Sequence, residues 1–375
     1  MRILHIYKDY YPILGGIENH VRTLAETQAS KGHRVTVLVT NPAPGMRTVK
    51  NEYNGVNLIR AGRITTVAST PLSLALFYWC SKINVDIAHL HFPYPLGEIA
   101  NLWFKPGQRT VITYHCDVIR QRNLLKLYRP LLMRVLRQAD RILPTSPFYM
   151  ETSPFLQPIQ ERCEVVPLGV DISRFSRVTQ SQLDVVRKRY QFLDGPITLV
   201  FVGRLRYYKG LDDLLVAMQS IPETQLLVIG DGPMKGAWTN LVNSLGLDKR
   251  VTFTGEVEDE ILPACYGVGD IFVLPANSRA EAFGTVIMEA MAMGLPVIST
   301  DLGTGTSWVN QNGITGLVIP PRNPKAIADA INHLINHQER CKSMGKAARK
   351  RVESEFDQDQ MVERIEEIYT KVLVS

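Results

Sequence analysis

Ile197-Thr198-Leu199-Val200-Phe201-Val202-Gly203-Arg204-Leu205 decides how this chain is organised. An unbroken apolar and β-branched run that closes on a glycine reads as a buried parallel strand ending in a loop. It also restarts a pattern. Upstream, strands are expected at Ile3 to Tyr7, Arg34 to Thr40, Ile87 to His91, Thr110 to His115 and Arg141 to Pro144, with helical periodicity between them. That series stops in a turn at Val165-Val166-Pro167-Leu168-Gly169-Val170-Asp171, and a polar stretch runs on to Gly195-Pro196. Downstream of Ile197 come strands at Leu226 to Ile229, Val251 to Thr254, Ile271 to Leu274, Pro296 to Ser299 and Gly316 to Ile319. Strands alternating with helices mark βαβ units and a mostly parallel sheet in each half.

The reading is therefore α/β, with two Rossmann-like domains and a cleft between them. A length of 375 residues suits two domains of this size. Helical segments at Pro324 to Glu355 and Asp357 to Leu373 follow the last strand, so the final one is free to leave its own sheet. Apolar residues at 45% and charged residues at 21%, without low-complexity tracts, imply a chain folded throughout. The longest apolar run, Leu72 to Cys80, is about half of what a membrane-spanning helix needs. Met1-Arg2-Ile3-Leu4-His5-Ile6-Tyr7 enters a strand without the regions of a signal peptide, so a cytoplasmic protein is expected. The five cysteines, Cys80, Cys116, Cys163, Cys265 and Cys341, are odd in number, scattered and without C-x-x-C spacing, which argues against a disulfide framework and a zinc site and points to reduced core thiols. Net charge is +6 but uneven: residues 1–175 carry 21 basic and 12 acidic residues, the remainder 21 and 24. The basic excess has no interleaved aromatic motif, so nucleic acid is not an expected partner.

Ligands of open α/β sheets gather at the C-terminal ends of strands, where helix N-termini offer unpaired amides to phosphate. Four motifs sit there. Gly15-Gly16 follows the first strand and a Tyr10-Tyr11-Pro12 turn; the pair is either a plain turn or a close backbone approach to ligand, and it lacks the G-x-G-x-x-G spacing of redox dinucleotide sites. Gly203-Arg204 with Lys209-Gly210 places two cations on one loop, either solvated or clamping a pyrophosphate. Gly230-Asp231-Gly232-Pro233 is by itself a tight turn. Glu281-Ala282-Phe283-Gly284-Thr285-Val286-Ile287-Met288-Glu289 is the strongest motif, with Glu281 in a loop, Gly284-Thr285 opening a helix and Glu289 about one turn inside it. Phosphates on the amides near Gly284 and Thr285, with hydroxyls on the two carboxylates, would satisfy one ligand; a solvated Glu281 and a dipole-favoured Glu289 are the alternatives. His115 ends a strand in Thr113-Tyr114-His115-Cys116-Asp117, and the adjacent Cys116 reads as packing because side chains alternate across a strand.

Taken in order, Gly15-Gly16 with Glu18, His115, Gly203-Arg204 with Lys209-Gly210, Gly230-Asp231-Gly232-Pro233 and the pair Glu281 and Glu289 resemble glycosyltransferase family 4 over nearly the whole chain. The resemblance implies a retaining GT-B enzyme with two facing Rossmann-like domains and a C-terminal helix crossing back to the first. The corresponding boundaries are an acceptor domain at 1–178, a nucleotide-sugar domain at 179–355 and a returning helix at 356–375. It further implies that Arg204 and Lys209 neutralise the diphosphate leaving group. Glu281 would hold donor-sugar hydroxyls, Glu289 the ribose hydroxyls, amides around Phe283, Gly284 and Thr285 would meet phosphate, and His115 would face the transferred sugar. Gly15, Gly16, Gly203, Gly230 and Gly232 would line the donor, Gly16 letting the first domain close on it. No cofactor or metal is expected: the donor is a GDP- or UDP-linked sugar, and preplaced cations and helix amides suffice to stabilise a departing diphosphate. Asp357-Gln358-Asp359 is the only D-x-D triplet and opens a terminal helix, and His89-Leu90-His91 has no acidic or cysteine partner nearby in sequence.

Where many members of the family carry a glutamate in a G-G-x-x-E turn, this chain has Gly303-Thr304-Gly305-Thr306-Ser307-Trp308, which leaves any donor contact at that turn unassigned. The basic stretch from Arg120 to Arg141 is amphipathic and interrupted at Pro130. It reads either as a surface helix or as a dock on anionic membrane, with a lipid-linked glycan as acceptor. The expected activity is transfer of a mannose- or glucose-type hexose to a glycan or lipid-linked acceptor in surface polysaccharide or glycolipid synthesis. The rivals are a nucleotide-sugar epimerase of the UDP-GlcNAc 2-epimerase type and a non-catalytic nucleotide-sugar-binding protein.

Overall fold

The computed structural model describes residues 1–13, 15–67, 70–118, 122–192 and 195–375, with backbone alone for 122–124; Arg120 and Gln121 of the basic stretch lie outside the described residues. The chain divides into two compact units, Met1–Gly169 with Gln358–Ser375, and Val170–Asp357.

In the first unit the strands are β1 (Arg2–Ile6), β2 (Arg34–Thr40), β3 (Val49–Tyr53), β4 (Val56–Ala61), β5 (Thr65–Val67), β6 (Thr70–Leu72), β7 (Val85–Phe92), β8 (Gly107–Tyr114) and β9 (Arg141–Pro144). Seven of them form one sheet in the order β3-β4-β2-β1-β7-β8-β9, while β5 and β6 make a separate hairpin. Neighbours are parallel except β3, which runs antiparallel to β4 on the sheet edge. The β3-β4 pair was not expected from the pattern, because Val49-Lys50-Asn51-Glu52-Tyr53 is largely exposed and carries no apolar face. Its signal is the connecting Asn54-Gly55, both at positive φ (48° and 76°), the two-residue turn that suits a hairpin.

The second unit continues with β10 (Ile197–Val202), β11 (Thr224–Ile229), β12 (Val251–Gly255), β13 (Ile271–Leu274), β14 (Val297–Thr300) and β15 (Gly316–Ile319). All are parallel, in the order β12-β11-β10-β13-β14-β15. This is the doubly wound Rossmann order, as is the first unit without β3. Strand order reverses between β10 and β13 and between β1 and β7, so each sheet opens a crevice at those strand ends. The motifs flank both reversals.

The division differs from the expected 1–178 and 179–355. Phe175 is buried and packs its ring on Tyr266 at 5.8 Å, which holds the helix Ile172–Ser176 in the second unit. Phe356 likewise stays there, its ring edge-on to Trp308 at 5.3 Å and to Phe283 at 6.2 Å. From Gln358 the chain rejoins the first unit, where Met361, Val362, Ile365, Ile368, Tyr369 and Val372 of the helix Gln358–Val374 are buried in one core with Ile3, Leu24, Ile87 and Val111. Pro324 to Glu355 is two helices, Pro324–Asn336 and Gln338–Glu355, broken at His337. Among the described residues no helix is long and apolar enough to cross a membrane.

Candidate active site

In the second unit, β10 ends at Gly203, whose amide donates to the Ile229 carbonyl and so ties the loops after β10 and β11 together. A side chain on Gly230 would lie 2.3 Å from the Gly203 oxygen, and one on Gly232 2.6 Å from the Leu205 oxygen. These glycines are required by the contact between two loops, and that contact sets where Arg204 stands. Arg204 is exposed and lines a hollow of about 380 Å³ with Asp231, Gly232 and Glu256. Asp231 is itself held by Lys235 at 2.7 Å and by the Gly232 amide at 2.6 Å, and both hold its carboxyl below the usual range.

Lys209 is buried, its Nζ 2.7 Å from Glu281 Oε2. Burial alone would lower the ammonium pKa, but the Glu281 carboxylate outweighs it and raises the net value, so the lysine stays charged at neutral pH. The loop is pinned: the Asn277 amide donates to the Tyr208 carbonyl at 2.9 Å, and Gly210 at φ 70° fits against the Pro275 carbonyl where no side chain could go. Two segments on either side of the strand reversal, after β10 and after β13, thus bring a cation and a carboxylate together.

Gly284, at φ 77°, caps the helix Thr285–Ala292, and Glu289 lies one turn in, as the sequence indicates. Phe283 buries its ring against Trp308 and Phe356, so only its main chain is available to a ligand. Burial raises the Glu289 carboxyl despite a hydrogen bond from Tyr266 Oη to Glu289 Oε2 at 2.6 Å. Tyr266 was not singled out in the sequence; it stands in a short helix with no motif around it.

The turn Gly303 to Trp308, lacking the glutamate, supports the loop instead. Gly305 N donates to Ala282 O (2.9 Å), Thr304 Oγ1 donates to Glu281 O (2.9 Å), and Arg279 Nη1 donates to Gly303 O (2.7 Å). Thr304 and Arg279 thus support the candidate site through backbone carbonyls, a role that carries no spacing signature in the sequence.

In the first unit, Gly15 precedes the helix Gly16–Ser30, and a side chain on it would strike the Glu18 carboxylate at 2.2 Å. The Glu18 carboxylate therefore folds back over this turn, with Lys8 Nζ 3.9 Å from its Oε1. His115, buried at the end of β8, belongs to a cluster the sequence did not reveal: His5 from β1, His89 and His91 from β7, and His20. Residues 89 and 91 share a face of β7, and register sets His5 beside His89. His5 Nε2 donates to Gln28 Oε1 at 2.8 Å, which obliges His5 Nδ1 to accept from His91 Nε2 at 3.1 Å and His91 Nδ1 from His115 Nε2 at 3.3 Å. His89 bonds Tyr369 Oη and Thr113 Oγ1. Burial lowers all five, His5 to about 4 and His20 to about 3, so the cluster is neutral at physiological pH. The triads His5-His89-His91 and His20-His91-His115 bring nitrogens within 4.8 Å of one another, but hydrogen bonds already occupy the lone pairs of His5, His89 and His91. His115 Nδ1 and His20 Nε2 are buried without a partner. Burial pushes the Cys116 thiol up to about 12, consistent with a packing role.

The description "Glycosyltransferase Family 4" matches residues 14–174, and "Glycosyl transferases group 1" matches residues 184–351. Over 100% of both chains, the protein is 34% identical to O-antigen chain mannosyltransferase C of Escherichia coli. It is a family 4 glycosyltransferase. The glycosyltransferase is also 36% identical to D-rhamnosyltransferase WbpZ of Pseudomonas aeruginosa, covering 95% of this chain and 92% of that one. Among solved structures, sucrose-phosphate synthase from Thermosynechococcus elongatus superposes with a TM-score of 0.80 at 22% identity, covering 100% of this chain and 99% of that one, which shows the GT-B fold. Transferase relatives across the full length leave the epimerase reading without support.

Proposed function

We propose that this glycosyltransferase moves a mannose-type hexose, with retention and without a metal, from a GDP- or UDP-linked donor to a glycan or lipid-linked acceptor in surface polysaccharide or glycolipid synthesis. The observation that carries this reading is the buried pair Lys209–Glu281 beside the helix that Gly284 caps. As the glycosidic bond breaks, charge grows on the diphosphate. Lys209 and Arg204 supply fixed positive charge and the amides at Gly284 and Thr285 supply donors, which is the stabilisation such a step needs. Glu281 accepts from donor-sugar hydroxyls while orienting Lys209, and Glu289, steadied by Tyr266, accepts from the ribose. In the first unit, His115 and the Gly15-Gly16 turn serve the transferred sugar. Mannose is favoured by the O-antigen relative and by a 33% identical relative named GDP-mannose-dependent alpha-(1-6)-phosphatidylinositol monomannoside mannosyltransferase from Mycobacterium tuberculosis.

Contact with anionic membrane belongs to the same reading. The helix Arg122–Gln138 exposes Lys126, Leu127, Arg129, Arg134 and Arg137 while burying Leu132, Val135 and Leu136. Calorimetric titration with GDP, UDP and ADP in metal-free buffer tests the donor site: micromolar binding of one nucleotide is expected, and binding of none by folded protein would overturn the assignment. Anomeric analysis of the product by NMR decides retention.

A further inference from the structure

The helices Leu74–Lys82 and Pro95–Phe104 leave an aromatic face uncovered. Leu74 is 71% exposed, Tyr78 55%, Trp103 66% and Phe104 41%. They are neighbours: the Phe77 ring lies 5.8 Å from Trp103 and 6.4 Å from Phe104, and Tyr78 touches Trp79 at 5.3 Å. Trp103 and Phe104 meet on the Phe77 ring, and Leu74 and Tyr78 are exposed on the helix that carries Phe77, an apolar surface of the kind that marks an interaction site.

Its charge selects the occupant. Lys50 Nζ sits 3.9 Å from the Trp79 ring centre and Lys82 Nζ 5.8 Å from that of Tyr78, and Lys105 follows Phe104 directly and is exposed. The one acidic residue of the two helices, Glu98, is turned inward and buried, bonded to the Tyr94 amide and the Tyr128 hydroxyl. Through that Tyr128 bond the aromatic pair is fastened to the basic helix Arg122–Gln138. Tryptophan, tyrosine and phenylalanine ringed by lysines, with no exposed carboxylate on either helix, is the composition that settles at the headgroup level of an anionic bilayer.

We infer that Trp103, Phe104 and Tyr78 insert into the interface of an anionic membrane, with Lys82 and Lys105 on the headgroups. This rests on the membrane contact proposed above and assigns its apolar anchor to helices outside the basic stretch. The anchor would hold the enzyme where a lipid-linked acceptor resides.

The test is flotation of the full chain with phosphatidylcholine vesicles with and without phosphatidylglycerol, alongside fluorescence with brominated phosphatidylglycerol. Wild type should float only with the anionic vesicles and be quenched, and Trp103→Phe should lose most of that quenching. The double variant Trp103→Ala/Phe104→Ala should bind about tenfold more weakly or worse. Lys82→Glu/Lys105→Glu should weaken binding as well, and nucleotide binding by calorimetry should stay unchanged in every variant. Flotation lost in Arg134→Glu/Arg137→Glu but kept in the aromatic double variant would overturn this inference and leave the basic-helix contact standing. No flotation of wild type would overturn both. A dimer by analytical ultracentrifugation that dissociates on Trp103→Ala would assign the face to a second copy and overturn it too.

Discussion

Replacing Lys209 by methionine removes one partner of a buried ion pair and leaves the Glu281 carboxylate with its nearest cation, 2.7 Å away, gone. Both side chains are 9% exposed, so water can do little to compensate. Breaking such a pair costs about 3–5 kcal/mol. For a unit of this size that corresponds to a fall in Tm of roughly 6–20 °C. With Lys209 in its proposed role of neutralising the departing diphosphate, the same substitution should also lower kcat about 100- to 1000-fold. Stability and catalysis separate in the double variant Lys209→Met/Glu281→Leu. Replacing both charges by apolar side chains of similar volume is close to neutral for stability, so Tm should return to within a few degrees of wild type while turnover stays lost. Differential scanning calorimetry and release of nucleoside diphosphate read the two quantities. If Lys209→Met melts with wild type and turns over normally, the pair is neither buried and coupled nor catalytic. If the double variant regains turnover, the lysine's role is structural alone.

Three further outcomes follow from the same geometry. Tyr266→Phe removes the hydroxyl that orients Glu289 and should weaken nucleoside diphosphate binding about tenfold, with little change in Tm; unchanged affinity in calorimetry would detach Glu289 from the ribose. The neutral histidines of the first unit bind protons more readily when unfolded, since His5 falls from 6.5 to about 4 and His20 to about 3. Stability should therefore be full above pH 6.5 and drop steeply as pH falls toward 4; a Tm flat between pH 7.5 and 4.5 would contradict the buried cluster. Glu98 behaves oppositely: burial raises it from 4.5 to about 7, so the folded state favours the protonated acid and loses stability as pH rises from 4.5 to 7. Glu98→Gln should abolish that loss, a gain of up to about 3 kcal/mol at pH 8 in urea unfolding, and no gain would mean the carboxylate is better satisfied than its two hydrogen bonds suggest.

The sequence shows the sheets well where strands are buried on both faces. Arg34–Thr40, Arg141–Pro144 and Ile271–Leu274 stand at the expected positions, because a covered parallel strand is largely apolar; Gly316–Ile319 also stands where expected, although its two central residues are only half-buried. It hides β3, where an exposed edge removes the apolar constraint, and β4, which is mostly buried but whose apolar run is broken by Asn57 and Arg60; Asn54-Gly55 remains as the sign of the pair. Within the site, residues whose spacing is imposed by one loop and one helix were legible: Lys209, Glu281, Gly284 and Glu289. Partners that act across the fold were not. Tyr266 reaches Glu289 from a separate helix, Thr304 reaches the Glu281 carbonyl from the loop after β14, and the five histidines gather from two strands, one helix and a strand end. Gly230 and Gly232 have a use that spacing alone does not disclose: their missing side chains let one loop press on the next, while Gly232 also lines the hollow beside Arg204.

The helix Gln358–Val374 supplies Met361, Val362, Ile365, Ile368, Tyr369 and Val372 to the core around β1, β7 and β8. On the ribosome, the first 169 residues therefore emerge with an unfilled apolar groove, and the residues that fill it are made only after the whole second unit. The unit synthesised first is the one completed last. During that interval Ile3, Leu24, Ile87 and Val111 stay open to water or to a chaperone, and the second unit, whose core draws on no later segment, is free to mature ahead of its elder neighbour.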